Sequence, residues 1–300
     1  MRCNHEAEKN GKPTNTLNST EQMPVLFIGH GSPMNAIEDN EFSKAWRVVA
    51  KILPKPKAIL CISAHWETLG TWVTAMDKPR TIHDFGGFPR ALFDAQYSAP
   101  GSPWLAQEVR DTVKNIKVGL DQDWGLDHGS WSVLIQMFPE ADIPVIQLSL
   151  DYTKPASEHY VLAKELAPLR QKGILILGSG NMVHNLSRLV VKGNGLRDLN
   201  KSFGLDWAFE ANELFKRLIN ENRHSDLANY LSLGDAVRLA VPTPEHYLPM
   251  LYVLALKQEN EAVTYFNDQT VGGSLTMTSL IIDDESKNAQ YARQMLLGSN

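Results

Sequence analysis

Histidine carries the clearest chemistry this sequence offers. His30 stands in "VLFIGHGSP", directly after a short apolar run and between two glycines. His65 follows "AILCISA" and His184 follows "ILILGSGNMV", so each comes shortly after a run that reads as a buried strand. Ligands of open α/β sheets bind in the crevice beyond the strands' carboxyl ends, and three imidazoles delivered there can converge. A lone histidine after a strand is ordinarily a turn or capping residue. Three of them, set among small residues, point to a shared site.

Other candidates sit in loop-like segments, where function concentrates on a rigid scaffold. "TIHDFGGFP" holds His83 and Asp84 beside two glycines, and "WGLDHGSW" holds Asp127 and His128 between tryptophans. "VPTPEHYLP" holds Glu245 and His246 between prolines. The same segment fits a helix start, with Thr243 as cap and Pro244 in the first turn. His159 and His224 lie in helical or polar surroundings and read as surface residues, and His5 belongs to a polar leader.

No H-E-x-x-H helix, C-x-x-C pair or G-x-S-x-G elbow occurs. "GSGN" at 178–181 follows a strand but lacks the Walker lysine and the full dinucleotide fingerprint. Several histidines with nearby carboxylates suit a divalent transition metal. Imidazole favours Fe, Zn, Cu or Ni, and two histidines plus a carboxylate with open positions suit Fe(II) oxygen chemistry. Spare histidines can then move protons near neutral pH.

The elements that must hold these residues alternate. Strands are expected at Val25–Ile28, Ala58–Ser63, Trp72–Met76, Val118–Leu120, Ile143–Leu150, Ile174–Gly178 and Leu275–Ile282. Several are almost continuously apolar, as strands covered on both faces are. Helices are expected at Glu41–Leu53, from Pro103 to about Asn115 behind a Ser102 cap, and at Trp131–Phe138, Ala156–Gln171, Phe203–Asn220 and His246–Leu256. Pro168 should kink or end the fourth. The alternation predicts one α/β domain with a central mixed, largely parallel sheet flanked by helices. Its bounds are taken as 23–283, with 1–22 a disordered N-terminal tail and 284–300 a C-terminal tail that is either a terminal helix or loose.

Bulk properties agree. The chain has 300 residues, 43% of them apolar, and a formal charge of −5, which argues against a nucleic-acid partner. No apolar run approaches the roughly 20 residues of a membrane span. Of two cysteines, Cys3 lies in the polar leader and Cys61 in an apolar run, so no disulfide is expected and a reducing cytoplasm fits.

Six segments in order, "GHGSPMN", "SAHWET", "TIHDFGGFP", "DHGSWSVL", "SGNMVHN" and "PTPEHYLPM", resemble the 4,5-DOPA extradiol dioxygenase family. That family belongs to the class III extradiol ring-cleaving dioxygenases, relatives of the protocatechuate 4,5-dioxygenase catalytic subunit. The likeness runs from about Met23 to about Ile282. It implies Fe(II)-dependent cleavage of a catechol such as L-DOPA by O₂ to a muconic semialdehyde, with Zn(II) as a possible bound or surrogate metal. It implies metal ligands at His30, His65, His184 and His246, with Glu245 the alternative to His246. It implies catalytic histidines at His128 and His184, and His184 is either a ligand or a free acid/base. His83, Asp84, His128 and Tyr247 are expected at the substrate, with Trp66 and Trp131 as candidate walls. Two other readings use the same histidines: a zinc-dependent hydrolase of a small amide or ester, and a non-enzymatic metal-site protein of the same superfamily.

Overall fold

The computed structural model describes residues 22–190 and 199–298, with side chains as far as residue 295. All but one residue of the expected leader lie outside that range. The strands are β1 Val25–Gly29, β2 Ala58–Thr68, β3 Thr71–Thr74, β4 Val118–Asp121, β5 Val145–Asp151, β6 Ile174–Gly180, β7 Glu261–Phe266, β8 Thr270–Val271, β9 Leu275–Thr276 and β10 Ser279–Asp284. Eight form one sheet in the order β4-β3-β5-β2-β6-β1-β10-β7, and β8 and β9 make a separate small ladder. Neighbours within β5-β2-β6-β1 run parallel. β3 and β10 join this block antiparallel. The sheet is therefore mixed and mostly parallel, in a single α/β unit, as the sequence predicts.

Both faces of the parallel block are covered, which explains its continuous apolar runs. Val25, Phe27, Leu60, Ile62 and Ile176 face one core with Phe215, Leu251 and Leu254. Leu26, Ile28, Ile59, Cys61, Leu175 and Leu177 face the other with Phe42, Trp46 and Trp131. Cys61 is a free, buried thiol, and burial pushes its pKa up. Among the described residues no helix is long and apolar enough to cross a membrane.

Several elements differ from expectation. β7 was not expected, because "EAVTYF" is a half-exposed edge strand whose polar residues hide the pattern. The expected strand Leu275–Ile282 splits into β9 and β10, where the Met277 backbone packs against Gly29. The expected helix Ala156–Gln171 breaks into Ala156–Lys164 and Ala167–Gln171, with Pro168 in the first turn of the second. Of the two readings of the C-terminal tail the structure shows the helix, Glu285–Gly298. Its Tyr291 is buried, and that hydroxyl donates to Asp283 Oδ2. His159 and His224 are not surface residues: His159 bonds Tyr252 and the Asp151 carbonyl, and His224 bonds Tyr160.

Candidate active site

The carboxyl ends of β1, β2 and β6 open on one cavity of about 400 Å³. His30, His65, His128, His184, His246 and Asp84 line it.

His30 is the first residue beyond β1. Its N–H donates to the Gly180 carbonyl at 3.0 Å, and its own carbonyl accepts from Asn35 Nδ2 at 3.0 Å. Gly31 takes the turn at φ +59, and a Cβ there would stand 2.3 Å from Met277 Sδ. Glycine is thus set by Met277 and by the turn, not by approach to the crevice. Ser32 caps the short 3₁₀ helix Pro33–Ala36 that follows, its hydroxyl accepting from the Met34 N–H.

His65 lies inside β2, not past it. The pairing of β2 with β5 slips between Ile62 and Glu67, a bulge that re-aims the residues within it. His128 is not in a loop but opens the helix His128–Met137. Asp127 caps that helix: its carboxylate accepts from the Ser130 N–H at 3.1 Å, Ser63 Oγ at 2.6 Å and Gln147 Nε2 at 2.7 Å. Burial, then the nearby Asp84 carboxylate, raises the pKa of Asp127 despite these donors.

His246 arrives on the turn before the helix Leu248–Ala255, with its backbone laid on the end of β6. The Asn181 N–H donates to the His246 carbonyl at 2.9 Å. A Cβ on Gly180 would stand 2.1 Å from that carbonyl oxygen. "GSGN" is thus a packing surface for the His246 segment and not a phosphate loop.

The outer ring nitrogens are held from behind. Ser179 Oγ gives its one proton to the Gly129 carbonyl, so at 3.0 Å from His30 Nδ1 it can only accept. The His30 proton is therefore on Nδ1, and Nε2 carries a lone pair. Asp84 Oδ2 lies 3.5 Å from His65 Nδ1 and 3.0 Å from His128 Nδ1, and Asp84 Oδ1 accepts the His128 N–H at 2.9 Å. Glu245 Oε1 lies 3.1 Å from His246 Nδ1 and accepts from Thr243 Oγ1 at 2.9 Å. Glu245 is not among the cavity-lining residues and stands behind His246.

His30 Nε2 and His65 Nε2 face each other 3.2 Å apart. With the His65 proton on Nδ1, toward Asp84, both are acceptors, an arrangement that suits a cation. Two imidazole nitrogens at about 2.0–2.1 Å from one ion, at right to tetrahedral angles, stand about 3 Å apart. Donor atoms of His30, His65 and His128 lie within 4.8 Å of one another, as do those of His184, Glu245 and His246. The His184 and His246 rings stack at 3.5 Å. The donor set therefore fits a divalent metal.

Electrostatics support the same point. Burial, then the neighbouring histidines, pushes His30 and His246 well below the usual imidazole range. Burial and His128 do the same to His65, partly offset by Asp84. Burial, then His128, brings His184 down to about 4. These rings are neutral at pH 7, the state a metal needs. Burial works to raise the pKa of Asp84, but bonding and charge at His128 outweigh it and hold the carboxyl low.

Two residues expected at the substrate stand elsewhere. His83 Nε2 bonds the Ala95 carbonyl at 2.9 Å, among Phe85, Phe93 and Trp131. Tyr247 is buried against Phe215 and Tyr230, and its hydroxyl donates to the Leu227 carbonyl. Both satisfy their polar atoms in the scaffold. Trp131 is fully buried and donates to the Ile82 carbonyl, and Trp66 stacks on Trp124, so neither lines the cavity. Sequence reasoning missed Ser179, Phe85 and Phe88. Ser179 had one signal, a hydroxyl between glycines in an otherwise apolar strand. Both phenylalanines lay in the "TIHDFGGFP" motif.

Comparison with known proteins agrees with this geometry. The family described as the catalytic LigB subunit of aromatic ring-opening dioxygenase matches residues 24–274. A protein of Escherichia coli K12 named 4,5-DOPA dioxygenase extradiol is 48% identical over 88% of this chain and 96% of its own length. One of the same name from Beta vulgaris is 38% identical over 85% of this chain and 94% of its own. The crystal structure of an uncharacterized protein from Escherichia coli K12 superposes with a TM-score of 0.74 at 42% identity, covering 87% of this chain and all of that one. The chain belongs to the family of LigB-type catalytic subunits of aromatic ring-opening dioxygenases and is an extradiol dioxygenase.

Proposed function

We propose that this crevice cleaves a catechol beside its paired hydroxyls with O₂, at an iron(II) ion held by His30, His65 and His246, with His184 adjoining. L-DOPA is the first substrate to try, because it appears in the names of the relatives. The observation that carries the reading is the approach of His30 Nε2 and His65 Nε2 to 3.2 Å, at the edge of a cavity that five histidines line. When bound, iron(II) supplies Lewis acidity toward the catechol oxygens and the redox chemistry that lets O₂ react with an aromatic ring.

The side chains divide the remaining work. Ser179 and Asp84 fix the His30 and His65 rings with Nε2 inward, and Glu245 does the same for His246. His184, neutral and without a carboxylate partner in the cavity, accepts a proton from a catechol hydroxyl. Asp84 accepts the His128 backbone N–H and stands 3.0 Å from its Nδ1, and His128 Nε2 returns a proton to the substrate oxygen. Phe85 and Phe88 limit water near the ring. The product is a muconic semialdehyde.

Anaerobic loading with Fe(II), then addition of a catechol and O₂, tests this. Stoichiometric O₂ uptake with a yellow product heavier than the catechol by two oxygen atoms is expected. Turnover with zinc alone, without O₂, on an amide or ester instead identifies a hydrolase.

A further inference from the structure

Behind the cavity, β2, β5 and β6 meet the first turn of the helix His128–Met137 in a buried polar joint. Gln147 lies on β5 opposite Cys61 of β2, just before the slip in their pairing. The sense of its amide is fixed. The Asp127 N–H can only donate, and it meets Gln147 Oε1 at 3.0 Å. Gln147 Nε2 is therefore the end that donates to Asp127 Oδ2, at 2.7 Å. The Ser130 hydroxyl stands 2.6 Å from the same Oε1. One side chain of β5 thus holds both the backbone and the carboxylate of the helix cap. Ser63, Asp127, Ser130 and Gln147 are fully buried, so a bond lost here leaves a polar atom unsatisfied.

The joint reaches the imidazoles by three routes. Asp127 Oδ1 accepts from Ser63 Oγ at 2.6 Å, and Ser63 Oγ accepts the His65 N–H at 3.2 Å, within the bulge of β2. His128 follows Asp127 directly in the chain. Gly129 lies so close to β2 that a Cβ on it would stand 2.4 Å from Ser63 Oγ and 2.8 Å from His65 Cδ2. The Gly129 carbonyl also takes the proton of Ser179, the partner of His30. A shift of the cap therefore shifts the supports of His30, His65 and His128 together.

We propose that Gln147 is a positioning residue for ring cleavage: through Asp127 and Ser63 it locks the β2 bulge to the first turn of the helix, and so sets His65 against His128. This rests on the ring-cleavage reading above and deepens it. Gln147 is not among the cavity-lining residues and acts only through Asp127.

Transposing the amide and the carboxylate tests the proposal in the full chain. In Asp127→Asn the new amide oxygen must serve Ser130 and Ser63, so its nitrogen confronts Gln147 Nε2, donor against donor. Adding Gln147→Glu makes that contact donor to acceptor and still accepts the N–H of residue 127. The double variant keeps every hydrogen bond of the joint and moves only its negative charge. Asp127→Asn should lower kcat at saturating catechol about thirtyfold per folded, iron-loaded molecule, by O₂ uptake. It should also weaken cobalt(II) binding to the metal-free protein at least about tenfold, followed by visible absorption. The double variant should bring both back to within about threefold of wild type. A double variant no better than Asp127→Asn overturns the proposal, and so does Asp127→Asn with both readouts near wild type. A merely structural joint would change urea unfolding and leave kcat per folded molecule and the cobalt spectrum as they are. Should Asp127→Asn fail to fold, Ser63→Ala cuts the same chain at its far end. A loss of about tenfold in kcat with KM within about threefold is expected there, and an unchanged kcat overturns the proposal. If the unsubstituted enzyme takes up no O₂ with any catechol, the ring-cleavage reading fails, and the cobalt titrations alone decide the joint.

Discussion

Two buried polar clusters stand at opposite ends of the parallel strands, and they are built on opposite rules. At the amino end, Arg170 is fully buried, and its Nε donates to the Met23 carbonyl and Nη1 to the Leu256 carbonyl, both at 2.8 Å. Its remaining donors pair with the Glu261 carboxylate. Every charge there meets its opposite, and the cluster ties β1 to the segment before β7. At the carboxyl end, five imidazoles crowd a cavity. The outer nitrogens of His30 and His246 meet Ser179 and Glu245, and the inner Nε2 atoms of His30 and His65 face each other. A satisfied cluster is a clamp, and one satisfied only from behind keeps donors for an ion. Burial alone therefore does not mark function. The direction of the unsatisfied valence does.

The sharpest way to break this contrast is to remove one member from each end. His30→Ala should reduce ring cleavage by more than about a thousandfold, since a proposed metal ligand is lost. Stability of the metal-free protein should stay within about 1 kcal/mol, because a desolvated, crowded ring is removed. Steady-state O₂ uptake and urea unfolding measure the two. Arg170→Met should do the reverse. Leaving Glu261 buried without its partner costs about 3–5 kcal/mol, while activity per folded molecule stays near wild type. A large activity loss in folded Arg170→Met would erase the distinction between the clusters.

Smaller changes probe the layer behind the ligands. His128→Gln should retain metal, measured by elemental analysis, and lose about a hundredfold or more in kcat. Metal loss in this variant would move His128 into the ligand set. Asp84→Asn should cost about ten- to a hundredfold, through loosened His65 and His128 rings. An effect of Asp84→Asn on metal affinity without any on kcat would confine its role to His65.

What the sequence conveyed about these two ends differs for physical reasons. The site was legible in part because strands covered on both faces write themselves as apolar runs, and His30, His65 and His184 follow or end those runs. His30, His65, His128, His184 and His246 all line the cavity as the motifs implied. The β2 bulge was not legible, since a slip in pairing depends on the partner strand. His83 and Tyr247 show the limit of motif reading: each adjoins a cavity residue in sequence, but its side chain turns into the scaffold. The Arg170–Glu261 clamp left no pattern, because its partners are 91 residues apart and each looks like a surface charge in its own segment.

The finest probe of the contrast is acid. His184 has a folded pKa of about 4 against an ordinary 6.5, so the unfolded chain binds its proton first as pH falls. Its contribution is therefore complete above about pH 6.5 and is lost as pH falls from 6.5 toward 4. At pH 5.5 this one group costs the metal-free protein about 1 kcal/mol relative to pH 8. His184→Leu removes the titration, so the variant's stability should decline less between pH 8 and 5.5 by about that amount in urea unfolding. Equal declines in the two proteins would mean that the His184 ring is already protonated or solvated in the folded crevice, and the rule separating its two clusters would fail at this residue. The expected difference instead measures how strongly the empty crevice holds its imidazoles neutral, ready for the ion that the Arg170 clamp has no use for.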